Sequence, residues 1–85
     1  MSAPPAAHES LAVIDRLFVQ MIDQQELKVL ELARQSVPGL TPEDLRNPHD
    51  FPALARDSTF QYEDGLLAGL RSAHMAVRAA LLRAG

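Results

Sequence analysis

Two long stretches of this chain carry apolar residues at every third or fourth position, and between them lies a proline-studded segment that no single helix can cross. In the first stretch Leu11, Ile14, Phe18, Met21, Ile22, Val29, Leu32 and Ala33 fall on one face of a helix, and Val13, Leu17, Leu27 and Leu30 widen that face. One neighbouring helix covers a limited stripe, so an apolar face this broad predicts contact with more than one partner element. Gln25 sits near the middle of the face and is expected at a wet edge rather than as a register-setting polar residue. Pro38 lacks an N–H and disfavours helix in the residue before it, while Gly39 suits the left-handed turn beyond, so this helix is predicted over about 8–37.

The connector, 38–58, carries its own local chemistry. Thr41 can cap a short helix with Pro42 at its first position and Glu43 and Asp44 at the positive end of its dipole, and Pro48 ends it. Phe51 and Leu54 place large apolar side chains in this segment, which predicts a packed cap over one end of the helix pair. Ser58 followed by Gln61 fits a capping box, with Asp57 or Thr59 as alternative caps, and opens a second long helix predicted over about 59–84. Its expected interior stripe is Leu66, Leu70, Ala73, Val77 and Leu81, supported by Leu67, Met75 and Leu82. Gly65 and Gly69 each cost a helix about 1 kcal/mol relative to alanine. With Ala73 they are expected to let another helix approach closely. Residues 1–7, with Pro4 and Pro5 among small side chains, are expected to form a flexible tail.

An 85-residue chain supports a single small domain, whose limited burial leaves it marginally stable alone. Eleven acidic against eight basic residues give a formal charge of -3, which argues against nucleic acid as a partner. A helix-turn-helix reading of residues 32–45 fails on the same ground, because Glu43 and Asp44 would face phosphates with only Arg46 to offset them. Cysteine is absent, which removes disulfides, thiolate metal sites and cysteine nucleophiles. No Glu-x-x-His motif supports a di-iron site in a bundle, and Arg71 stands three residues before His74. His49-Asp50 has no further histidines to complete a metal-dependent hydrolase site, and no nucleophile elbow exists. No catalytic residue, cofactor or metal is therefore expected. The start lacks a basic and apolar leader pattern, and charges interrupt every candidate membrane span, so a cytoplasmic protein with no membrane association is expected.

Charge placement predicts how the helices run. Asp15, Asp23, Glu26 and Glu31 lie on the first helix, and Arg71, Arg78 and Arg83 on the second, an arrangement suited to an antiparallel hairpin. In that hairpin Asp23 and Glu26 come level with Arg71 and His74, and Asp15 with Arg78 or Arg83. The expected fold is all-α: a two-helix hairpin with a structured connector, dimerising into a four-helix bundle. Leu11, Ile14, Phe18, Met21, Ile22, Leu70 and Val77 are the expected association residues. The expected function is a non-enzymatic protein–protein interaction module that self-associates and binds another protein. The alternative is a small accessory subunit of a larger enzyme or complex, using Tyr62, Glu63, Asp64 and His74 for polar contacts.

Overall fold

The computed structural model describes residues 7–84, and among them there is no strand. Two long helices, α1 (Ala7–Ser36) and α3 (Ser58–Ala84), pack against each other. The connector holds two 3-10 turns, Asp44–Arg46 and Pro48–Asp50, and a single-turn helix, α2 (Pro52–Ala55). The helices run antiparallel: Glu63 meets Gln25, Arg71 meets Glu26, and His74 meets Asp15, so one residue number rises as the other falls. The expectation about residues 1–7 lies outside the described residues, apart from Ala7, which already belongs to α1.

Each helix boundary has a local cause. α1 ends where Pro38 follows, and Gly39 turns the chain with φ +81°, a left-handed conformation that side chains disfavour. Arg34 then ties this turn down by donating from Nε to the Leu40 carbonyl at 2.8 Å. Thr41 and Asp44 close a reciprocal cap, each backbone N–H donating to the other's side chain at 3.0 and 3.2 Å. At the start of α3 the cap is Asp57, not Ser58: the Phe60 N–H donates to Asp57 Oδ1 at 3.0 Å. Gln61, the expected second half of a box, instead donates from Nε2 to the Leu54 carbonyl at 3.1 Å and fastens α3 to α2. The Phe60 amide, and then the Ser36 hydroxyl, hold the Asp57 carboxyl below its ordinary pKa.

The core sits at the connector end. Ile22, Val29 and Ala33 of α1 meet Leu40 and Leu54 of the connector and Phe60 and Leu67 of α3, with Leu45 and Phe51 packed against them. Phe51 and Leu54 thus form the expected cap, with Leu54 fully enclosed. Toward the other end nothing is fully buried: among residues 9–21 and 68–84 no side chain is enclosed, and Leu70 packs against the edge of the core. The molecule is correspondingly elongated, 56 × 24 × 20 Å. Its radius of gyration is 16.8 Å, whereas a compact domain of this length has about 12 Å.

Candidate functional site

Contact between α1 and α3 runs along one stripe of each helix at alternating three- and four-residue spacing. On α1 these residues are Leu11, Asp15, Phe18, Ile22, Gln25 and Val29; on α3 they are Phe60, Glu63, Leu67, Leu70 and His74. Polar residues interrupt the stripe in matched pairs. Gln25 donates from Nε2 to the Glu63 backbone carbonyl at 2.9 Å and to its Oε2 at 2.7 Å, and Lys28 Nζ lies 2.9 Å from Glu63 Oε1. Gln25 is therefore a register-setting residue between the helices, not the wet-edge residue its sequence context suggests. Further along, His74 Nε2 lies 2.7 Å from Asp15 Oδ1, with Arg78 at 4.0 Å, and the Phe18 ring stacks on the imidazole at 5.8 Å between centroids.

The amide of Gln25, and then the ammonium of Lys28, hold the Glu63 carboxyl below its ordinary value of 4.5 despite its burial. A depressed carboxyl pKa means the folded state favours the ionised form. Its contribution to stability is complete above the unfolded pKa and is lost as pH falls through the folded pKa. Thermal unfolding is therefore expected to move to lower temperature as pH drops below about 4.5. Glu63→Gln should flatten that acid limb, and an unchanged pH profile would show that this carboxylate carries none of it.

Beside the contact stripe, the two flanks of the hairpin differ. One flank carries the charges, Arg16, Asp23 and Glu26 on α1 and Asp64, Arg71 and Arg78 on α3, among exposed Val19, Met75 and Leu82, with Arg71 bonded to Glu26 at 2.8 Å. Asp15 pairs with His74 rather than Asp23 or Glu26 doing so, while the Glu26 and Arg71 expectation matches the observed bond. A groove of about 560 Å³ opens on this side at the connector end, between Asp23, Leu30, Leu45, Arg46 and Asp64. Its lining mixes both signs of charge, so it favours no single ligand charge. Among the described residues no cluster of metal-ligating side chains occurs.

The opposite flank is apolar. On α1 it comprises Ile14, Leu17 and Met21, and its first charge is Lys28. On α3 it comprises Leu66, Ala73, Val77 and Ala80, with no charge up to Ala84 at the same spacing. Ile14, Leu17, Met21 and Leu66 stand 39%, 51%, 41% and 44% exposed. Of the residues expected to associate, Ile14 and Met21 belong to this open flank, and Leu11, Phe18, Leu70 and Val77 are half-buried at its edge. Ile22 is a core residue and presents nothing outward.

Of the stripe expected in the interior of α3, Leu70 packs against the core with Leu67, and Val77 and Leu81 are half-buried, but Leu66 and Ala73 are exposed and His74 faces α1. A Cβ added at Gly65 or Gly69 meets nothing within 4 Å, and Ala73 is exposed, so within the hairpin these small residues are not in close contact with α1. The polar residues proposed for an accessory role are dispersed: Tyr62 points to solvent at 66% exposure, Glu63 and His74 are engaged between the helices, and Asp64 lies on the charged flank.

No match is found among protein-family models, curated proteins or solved structures. The reading of function therefore rests on the chain itself. No helix among the described residues is long and apolar enough to cross a membrane.

Proposed function

We propose that this protein is a non-enzymatic helical interaction module that self-associates through its apolar flank, two hairpins completing a four-helix bundle that offers its outer surface to another protein. One observation carries this reading: along the open half the polar Asp15 and His74 take places between the helices beside Leu11, Phe18 and Leu70, while Ile14, Leu17 and Met21 stand outside. A soluble protein rarely leaves a contiguous apolar patch of this kind in water. A second copy supplies the missing neighbour for both helices at once, and symmetric pairs are the commonest soluble assemblies. A cytoplasmic location fits the cysteine-free chain.

Association that stabilises the folded state makes the melting temperature depend on protein concentration. Over a hundredfold dilution series, the midpoint followed by helical circular dichroism is expected to fall steadily. A midpoint independent of concentration, with the chain monomeric throughout, would sink the proposal.

A further inference from the structure

The hairpin is divided crosswise as well as by flank. Every enclosed side chain among the described residues lies at the connector end, between positions 22 and 67. Beyond that level the helices are joined by half-buried Leu11, Phe18, Leu70 and Val77 and by one polar clasp. In the clasp His74 Nε2 lies 2.7 Å from Asp15 Oδ1, the Phe18 ring stacks on the imidazole, and Arg78 stands 4.0 Å from the same carboxylate oxygen. Local opening costs least where the least apolar surface is enclosed, so the two halves differ in the free energy that holds them shut.

The border between the halves falls on two glycines of α3. Gly65 and Gly69 bracket Leu67, the last enclosed residue of that helix. A turn is not the reason for them, because among the described residues Gly39 alone has a positive φ. Packing is not the reason either, since a Cβ added at Gly65 or Gly69 meets open space. Alanine fits both positions and favours helix at each, so what glycine supplies here is a backbone that leaves the helix more readily. α1 has no counterpart. From Ala7 to Ser36 it contains neither glycine nor proline. The pairings of Gln25 with Glu63 and Asp15 with His74 put Val19 and Gln20 about level with Gly69. One helix yields at this level, and the other stays whole.

We infer that the arm of α3 beyond Gly69, residues 70–84, opens from α1 as a unit, hinging at Gly65 and Gly69 and releasing the Asp15–His74 clasp, while the connector-end core stays closed. Opening uncovers Leu11 and Phe18 on α1 and Leu70, Val77 and Leu81 on the arm, apolar side chains that the closed hairpin half-buries. This motion goes beyond self-association and belongs to the single hairpin.

Hydrogen-exchange mass spectrometry on the full chain at sub-micromolar concentration tests it. After correction for intrinsic rates, the amides of residues 72–82 are expected to exchange at least about tenfold faster than those of residues 62–67 in the same helix. Leu54→Ala removes an enclosed core side chain. It should speed the 62–67 amides at least about 30-fold and leave the 72–82 amides within about twofold of their original rate, because arm opening does not break the core. Where alanine unfolds the chain, Leu54→Met takes its place, with an acceleration of up to about tenfold at 62–67. Equal acceleration of both segments means that only the whole hairpin opens, and overturns the arm. Gly69→Ala is expected to slow the 72–82 amides about fivefold. Unchanged exchange there overturns the hinge. The mass of the chain in solution reads self-association separately, so the two proposals fail independently.

Discussion

Replacing Phe60 with alanine is expected to lower the thermal midpoint by at least about 12 °C, and at 37 °C to leave much of the protein unfolded. Phe60 is the largest fully enclosed side chain and joins α1, α2 and α3 at the first turn of α3. Removing a buried phenylalanine costs about 3–5 kcal/mol, because the lost transfer free energy adds to the cavity left behind. An 85-residue chain has a total stability of roughly 4–13 kcal/mol. At about 4 °C per kcal/mol for a domain of this size, the shift is large and is read by circular dichroism during heating. A shift of a few degrees would mean that the connector end is not the main core. Leu54→Ala, at a site equally enclosed, tests the same core independently of the helix start.

The second large effect falls on the open half. Leu17→Asp is expected to weaken self-association by at least about 100-fold, about 2.7 kcal/mol, while leaving the helical signal at high concentration nearly unchanged. Leu17 is 51% exposed and contributes nothing to the hairpin core, so an aspartate there is well solvated in the single hairpin. In the dimer the same carboxylate is placed twice in an apolar contact, which is the costly setting for a charge. Val19→Asp, on the charged flank between Arg16 and Asp23, is the matched control and should leave association intact. Equal effects of the two variants would show that the apolar flank has no special part.

These two substitutions also mark what can be read directly from the residues. Helix limits were legible because proline and glycine act locally: Pro38 and Gly39 ended α1 as their chemistry requires. The connector cap was legible because Phe51 and Leu54 have no reason to stand in a loop unless they are packed. The rotation of α3 was not legible. Its core-facing stripe contains Glu63 and His74 beside Leu67 and Leu70, so the apolar pattern drew in Leu66 and Ala73, which stand exposed. For the same reason Gln25 looked peripheral until Glu63 was seen opposite it. Periodicity gives the spacing of a stripe but not the neighbour it faces, and matched polar pairs across a helix contact are invisible in either helix alone. The Gly65 and Gly69 spacing carried the same ambiguity, and both residues face away from α1.

The apolar flank, rather than the groove on the charged side, organises this account. The groove offers mixed charge, with Glu26 already bonded to Arg71. The flank offers an uncharged strip along α3 and three bulky residues along α1, in the half of the hairpin where no core exists. Self-association is the central claim, and its most direct test is the mass of the unmodified chain in solution. Light scattering coupled to size-exclusion chromatography at tens of micromolar is predicted to give twice the 9.3 kDa of one chain. A folded species at 9.3 kDa over the whole concentration range would contradict it.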